Sequence, residues 1–130
     1  ALELRCIGGR RGLPREISIP DINRPGLALS GFFDAFAFKR VQLFGRGEAA
    51  YLQKLHDENK NDNLKALFSY KIPCCVFSNN REPTQEFFQL AERHAVRFYR
   101  LPLIRQIFLR ALSAYFPIFL HLRKPFTAFL

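Results

Sequence analysis

The stretch DINRPGLALSGF, residues 21–32, decides the fold of this chain. It places two glycines and a proline between apolar segments, and no helix or strand period runs through it. Arg24 precedes the proline, and the proline ring disfavours the α conformation at that residue. Gly26 or Gly31 can take a positive φ at a tight corner. We expect a charge-assisted bond between Asp21 and Arg24 to fix this corner. The alternative is that Arg24 faces an anionic ligand.

Strands and helices alternate on both sides of this corner. Apolar periodicity predicts strands at residues 2–7, 16–19, 40–44, 72–77 and 96–99. It predicts helices at residues 47–55, 83–95 and 103–116, with a short helix that ends near Gly31. A second short helix carries Leu64, Leu67 and Phe68 and is capped by Asp62 or Asn63. This order predicts an α/β fold, a single layered domain with a mixed, partly parallel sheet flanked by helices.

Composition is ordinary for a soluble globular domain. The chain has 130 residues, 48% of them hydrophobic and 24% charged, which favours one domain. It contains no Met, so we expect that Ala1 is not the natural start. No signal peptide and no apolar run of membrane-spanning length is present in the sequence. The expected location is the cytoplasm, with no membrane partner.

The net charge is +9, and no acidic residue follows Glu92. A basic field of this kind favours an acidic partner, a nucleic acid or an anionic surface, whereas the simpler interpretation is a solvated basic face. Nucleic-acid binding requires exposed aromatic side chains beside the basic ones. Here the aromatic residues fall mostly at core spacings, so no nucleic-acid partner is predicted.

No spacing in the sequence predicts a catalytic or metal site. Cys6, Cys74 and Cys75 are an odd number of cysteines, which favours free, buried thiols over disulfides or zinc ligands. The phosphate-binding motif GxxxxGK[ST] and the hydrolase motif GxSxG are both absent. The polar segment around Asp57, Glu58 and Asp62 is expected to face solvent, and His94 is expected on a helix surface. Catalytic, cofactor-binding and metal-binding residues are therefore predicted to be none, and the loop candidates are Asp21, Arg24, Gly26 and Gly31.

Several motifs carry a resemblance to one protein family. Residues 21–32 resemble the DIxRPGLxLxG[FY] segment of the N-terminal domain of the bacterial HPr kinase/phosphorylase family. The preceding GLPREI (12–17), the RVQLFG strand (40–45) and LFSY with IPC (67–74) are similar to further segments of that domain. Residues 2 to about 116 match in order and spacing, which implies a fold resembling the Mur ligase N-terminal domain.

The resemblance implies a bifunctional, hexameric enzyme of carbon catabolite repression and the phosphotransferase system. Such an enzyme phosphorylates a serine of the phosphocarrier protein HPr with ATP or pyrophosphate, and it also removes that phosphate. The family places this chemistry, with ATP and Mg²⁺, in a P-loop domain that follows the N-terminal one. We therefore expect no cofactor in this chain, with HPr, the chain's own catalytic domain and further copies of itself as partners.

The resemblance divides the chain into a domain at residues 1–116 and a linker at 117–130. In the family, an acidic linker leads to the sequence RxTxHG. Arg123 is placed like that arginine, but Thr127 and Ala128 replace its HG pair. The apolar, basic tail from Tyr115 onward is expected to contact a partner surface and to make the chain self-associate.

Two hypotheses remain open. The chain is either a non-catalytic regulatory or assembly domain of a protein-serine kinase/phosphorylase, or a stand-alone domain with a Mur-like pocket for an anionic small molecule. A P-loop downstream in the gene would distinguish them.

Overall fold

The computed structural model describes residues 3–102, 106, 109–110, 113 and 128–129. Six strands are present in this part of the chain: β1 (Glu3–Gly8), β2 (Ile22–Asn23), β3 (Val41–Phe44), β4 (Cys75–Phe77), β5 (Phe98–Arg100) and β6 (Ala128–Phe129). Its continuous helices are α1 (Gly26–Leu29), α2 (Arg46–Asp57), α3 (Asp62–Phe68) and α4 (Gln85–Arg93), with a 3₁₀ turn at Arg10–Gly12. None of the helices in the described residues is long and apolar enough to cross a membrane.

The strands form one mixed sheet in the order β2-β3-β4-β5-β1-β6. Strands β2 to β5 run parallel, with Ile22 beside Val41 and Cys75 beside Phe98. Strand β1 is antiparallel to β5, and β6 is antiparallel to β1. The predicted α/β fold, one domain with a mixed and mainly parallel sheet between helices, is confirmed.

An aromatic cluster fills the core between the sheet and the helices. The rings of Phe44 and Phe77 stack at 4.8 Å, and the Phe87 ring of α4 meets their rings edge-on at 5.2 and 4.9 Å. Every residue of β3 and β4 is buried. This burial explains why these strands are continuous apolar runs, since central parallel strands are covered on both faces.

The prediction of a strand at residues 16–19 is wrong. These residues have no regular structure, although Ile17 is 1% exposed and belongs to the core. The edge strand next to β3 is instead β2. It lies within residues 21–32, where the sequence shows no alternation of apolar and polar residues. Its two residues are held beside β3, where Asn23 Nδ2 donates to Gln42 Oε1 at 2.7 Å. A two-residue strand is too short to show a period, so tertiary pairing creates it.

Other predicted elements are confirmed with shifted ends. Helix α3 begins after Asn61, which takes the capping position predicted for Asp62 or Asn63, and its Leu64, Leu67 and Phe68 are buried as expected. Helix α4 begins after Thr84, whose hydroxyl accepts a hydrogen bond from the Phe87 N–H at 3.3 Å. Strand β4 begins at Cys75, two residues after a proline that cannot donate to the ladder.

The glycine-rich turn after β1 packs against the chain that leads into β5. A side chain at Gly9, which has φ +65°, would collide with the Val96 carbonyl oxygen, and one at Gly12 would collide with that of Ala95. The backbone approaches closely here because neither residue has a Cβ. Gly9 and Gly12 therefore allow the turn to pack directly against the backbone of residues 95–97.

Arg97 is the largest fully buried side chain of the described core. Its Nε donates to the Tyr99 hydroxyl at 2.9 Å, and its Nη1 donates to the carbonyl oxygens of Gly12, Arg15 and Pro73 at 2.9, 2.7 and 3.2 Å. These bonds attach the loops at residues 12–15 and at Pro73 to the segment that leads into β5. The proposed solvated basic face therefore does not include Arg97.

The predicted helix at residues 103–116 and the tail fall mostly outside the described residues. Gln106, Leu109, Arg110 and Ser113 are described as helical. Residues 128–129 pair with β1, with Glu3 opposite Phe129. The predicted linker at 117–130 thus includes two residues that join the sheet, and the rest of it lies outside the described part.

Candidate functional site

The corner at residues 21–32 is fixed by an ion pair between Arg24 and Glu48. Arg24 follows β2, and Glu48 lies in the first turn of α2. Arg24 Nε donates to Glu48 Oε2 at 2.9 Å, and Nη2 donates to Oε1 at 2.8 Å. This two-point contact is the strong geometry for a guanidinium and a carboxylate. It raises the pKa of Arg24, chiefly through the hydrogen bonds to Glu48.

Glu48 also caps the helix to which it belongs. Its Oε1 accepts the Gly45 N–H at 3.0 Å, which satisfies the backbone donor of the residue that precedes α2. A carboxylate in the first turn is stabilised by the helix dipole. The Glu48 side chain is 8% exposed, whereas that of Arg24 is 40% exposed. One buried carboxylate therefore joins the β2 corner to the start of α2.

The predicted bond between Asp21 and Arg24 is wrong. Asp21 Oδ1 accepts the N–H of Ile22 at 2.8 Å, and its Oδ2 lies 3.3 Å from Arg40 Nη1. Arg24 instead reaches Glu48, which is 24 residues away in sequence. Asp21 and Arg40 are both substantially exposed, so their ion pair contributes little stability.

The two candidate glycines have different roles. Gly31 has φ +107°, as expected for a residue that turns the chain after α1, and a Cβ there would lie 3.3 Å from Asn63 Nδ2. Asn63 Nδ2 also donates to the Leu29 carbonyl oxygen at 3.2 Å, so α3 holds the same turn. Gly26 is the first residue of α1 and is absent from the positive-φ positions of the described backbone. A Cβ at Gly26 would contact nothing within 4 Å.

A small recess of about 50 Å³ opens beside the Arg24 guanidinium. Its described lining is mostly apolar: Asn23, Arg24, Pro25, Leu27, Ala28, Phe32, Ala35 and Phe36. The recess is too small for a cofactor, since small-molecule sites usually exceed about 300 Å³. Both oxygens of Glu48 already engage the guanidinium. The geometry therefore supports a structural role for Arg24 more strongly than a ligand-binding one.

The other titratable groups offer no catalytic arrangement within the described residues. Burial raises the pKa of the Cys74 thiol to about 11 and that of Cys75 well above its usual value. Asp57, Glu58 and Asp62 are exposed as predicted, and the His94 ring stacks on Phe68 at 6.1 Å. All three cysteines are free and buried, as predicted. No group of acidic, His or Cys side chains suited to a metal ion occurs in the described part of the chain.

Comparison with known proteins assigns the fold to a family. A family model described as "HPr Serine kinase N terminus" matches residues 1–116. The chain belongs to the HPr kinase/phosphorylase family. The HPr kinase/phosphorylase of Treponema pallidum is 50% identical to it over 92 residues, which are 71% of this chain and 29% of the relative. That of Leptospira biflexa is 35% identical over 120 residues, covering 86% of this chain and 37% of the relative.

The residues that the family model matches, 1–116, include both the corner at residues 21–32 and helix α2. The HPr kinase/phosphorylase of Caldicellulosiruptor bescii is 34% identical over 115 residues, covering 88% of this chain and 37% of the relative. The chain thus spans about a third of the length of the curated relatives it matches. The match therefore concerns the N-terminal region of this family, which is about a third of the relatives' length.

Sequence reasoning did not identify Glu48 or Arg97 as organising residues. Glu48 three residues after a glycine at a helix start is a recognisable capping signal. That signal predicts the bond to Gly45 but not the bond to Arg24. Arg97 lies between Val96 and Phe98, just before β5, and a charged residue flanked by apolar core residues indicates a buried, hydrogen-bonded side chain.

Proposed function

We propose that this chain is the non-catalytic N-terminal domain of an HPr serine kinase/phosphorylase, with a regulatory or assembly role. The full-length enzyme phosphorylates and dephosphorylates a serine of the phosphocarrier protein HPr in the regulation of carbon metabolism. The observation that carries this proposal is the family match over residues 1–116. The relatives that bear the name HPr kinase/phosphorylase are about three times as long as the region matched.

The sequence and the site support a non-catalytic role. Phosphoryl transfer requires backbone N–H groups and a lysine that hold the phosphates, and the sequence lacks the motif that supplies them. Its closest glycine pair, Gly45 and Gly47, flanks the start of α2, where Glu48 accepts the Gly45 N–H. A carboxylate in that position disfavours a phosphate. ATP and Mg²⁺ are therefore assigned to the catalytic domain of the full-length enzyme.

The proposed partners follow from the family and from the tail. HPr is the substrate of the full-length enzyme, the catalytic domain is a neighbour in the same polypeptide, and other copies of the chain form a homo-oligomer. The proposed compartment is the cytoplasm. We assign no nucleic acid and no membrane as a partner.

A deletion in the full-length gene product tests the role of this domain. Removal of residues 1–116 should leave transfer of phosphate to the HPr serine measurable, because no group of the deleted part takes part in it. It should change the oligomeric state or the response of the enzyme to its effectors. Loss of all phosphoryl transfer by a folded, soluble deletion protein would contradict the proposal.

The alternative is a stand-alone domain that binds an anionic small molecule. The basic composition of the chain, with a net charge of +9, is the observation that favours it. The gene sequence after the codon for Leu130 distinguishes the two proposals. A P-loop motif in the same reading frame supports the kinase/phosphorylase, and a stop codon without one supports the stand-alone domain.

A further inference from the structure

A cleft of about 400 Å³ lies at the amino edge of the parallel strands. Lys39 precedes β3 and Lys71 precedes β4, so this amino-edge cleft is at the end of the strands opposite the Arg24 corner. Its volume is in the range of small-molecule sites, about 300–1,000 Å³. The described residues that line it are Arg15, Glu16, Ser18, Lys39, Lys71 and Pro73.

Contacts between adjacent segments bring the two lysines to the same cleft. Lys39 follows Phe38 in the sequence, and Lys71 follows Tyr70. The rings of Phe38 and Tyr70 lie 5.2 Å apart, and the strands that these segments enter, β3 and β4, pair directly. Both lysines therefore line the amino-edge cleft from neighbouring segments of the chain.

The two lysines have no counter-ion in the described part of the chain. Both are exposed, and neither Lys39 nor Lys71 forms an ion pair there. Among the described lining residues, Glu16 is the one acid against three cations. No acidic residue follows Glu92, so the tail adds no carboxylate side chain. The cleft therefore carries an excess of positive charge.

A buried guanidinium lies directly behind the wall of this cleft. Arg97 Nη1 donates to the carbonyl oxygens of Arg15 and Pro73, which are two of the lining residues. Arg97 is 0% exposed, and within the described residues it has no ion pair and its Nη2 has no hydrogen-bond partner. Buried charges in proteins are normally paired. Arg97 thus places beside the cleft a positive charge that no described carboxylate offsets.

Arg15 adds a second guanidinium whose N–H groups are already in use. Its Nη1 donates to the Ile72 carbonyl oxygen at 2.9 Å, and its Nη2 donates to that of His94 at 3.0 Å. Burial lowers the pKa of Arg15, and the charge of Arg97 lowers it further. The two arginines therefore repel each other, and they contribute positive potential to the cleft more than free donors.

We propose that the amino-edge cleft binds a small molecule carrying a phosphate or carboxylate group, held by the ammonium groups of Lys39 and Lys71. The Ser18 hydroxyl is a further donor at the same cleft. An oxyanion there offsets the repulsion among the lysines and the two arginines, Arg15 and Arg97. The proposal does not depend on the kinase/phosphorylase assignment, because it holds for a domain inside a longer enzyme and for a stand-alone domain.

Binding to the 130-residue chain can be measured by NMR titration at constant pH and constant ionic strength. Inorganic phosphate, pyrophosphate and malonate serve as separate probes, which distinguishes phosphate from carboxylate ligands. We expect at least one probe to shift the amide signals of Ser18, Lys39 and Lys71 in a saturable way. Lys39→Gln and Lys71→Gln should each weaken that binding by about tenfold, because each removes a charged hydrogen-bond donor.

Two further variants separate a site from general charge attraction. Lys71→Arg keeps the positive charge and should weaken binding less than Lys71→Gln does. Arg46→Gln removes an exposed cation at the start of α2, at the opposite end of the strands, and should change binding by less than about threefold. Equal weakening by Arg46→Gln and Lys71→Gln, unchanged binding with either lysine-to-glutamine variant, or no saturable shift with any probe would overturn the proposal.

Discussion

Gly31 turns the chain after α1 in a backbone conformation that other residues adopt only with strain. Its φ is +107°, and the space of a Cβ is already limited by the Asn63 amide. Gly31→Val should therefore lower the free energy of unfolding by more than about 1 kcal/mol. Urea unfolding followed by circular dichroism measures the change.

Gly26 supplies the matched control for this variant. It begins α1, and a Cβ there would meet nothing within 4 Å. Gly26→Ala should therefore leave stability unchanged or raise it, since alanine is the better helix former. An unchanged melting temperature for Gly31→Val would show that the turn does not require glycine.

The buried thiols predict how stability depends on alkaline pH. Burial raises the pKa of Cys74 from 9.0 to about 11, and it raises those of Cys6 and Cys75 as well. Above pH 9 the unfolded chain loses thiol protons that the native chain keeps, so stability falls as pH rises. The expected slope is at most about 1.4 kcal/mol per pH unit for each thiol. Urea unfolding at pH 8, 9 and 10 measures it.

A cysteine variant shows how much of this pH dependence of stability comes from Cys74. Cys74→Ala removes one titrating thiol and should make the alkaline slope shallower, whatever its effect on absolute stability at pH 8. Stability that stays constant from pH 8 to 10 in the parent chain would show that the thiols ionise as easily in the native state as in the unfolded one.

At the level of elements, the Arg24–Glu48 pair joins β2 to the start of α2. Glu48→Gln should lower stability by about 1–3 kcal/mol, because it removes a nearly buried carboxylate from both a guanidinium and a backbone N–H. Arg24→Gln should cost a similar amount. In a double-mutant cycle, the two changes together should cost less than their sum.

Glu58→Gln is the control for the element-scale prediction. Glu58 follows the end of α2, and its carboxylate lies 3.9 Å from an exposed lysine. Such a surface pair contributes little, so the change should stay within about 0.5 kcal/mol. Strict additivity of the Arg24 and Glu48 variants would contradict the coupling between the corner and the helix.

Elements with a clear local signal could be predicted from the sequence, and those created by long-range pairing could not. Strands β3 and β4 are short apolar runs, and helix α4 has an apolar stripe with a threonine before its first turn. Strand β2 has two residues and exists because β3 lies beside it. The partner of Arg24 could not be predicted for the same reason, since Glu48 is distant in sequence and the local acid, Asp21, was the nearer choice.

At the scale of the whole molecule, the tail remains a prediction. The segment from Tyr115 to Leu130 contains Phe116, Ile118, Phe119, Leu120, Phe126 and Phe129, with no acidic residue. A single domain rarely leaves an apolar segment of this length open to water, so we expect the segment to contact a partner surface. The full chain should therefore self-associate, and a chain that ends at Tyr115 should be monomeric by light scattering.

The pairing of β6 with β1 gives a structural explanation for a full chain that does not self-associate. Residues 128–129 contribute an edge to the sheet. A monodisperse monomer of the full chain, with the tail protected from protease, would show that these residues complete the domain instead of joining a partner.

The most direct test of the central claim is the phosphoserine content of HPr after incubation with ATP and Mg²⁺. The claim is that this domain of the HPr kinase/phosphorylase family carries no phosphoryl-transfer chemistry of its own. HPr incubated with the 130-residue chain should contain no phosphoserine by mass spectrometry, whereas the T. pallidum HPr kinase/phosphorylase should label it. Stoichiometric phosphoserine with the 130-residue chain alone would contradict the account.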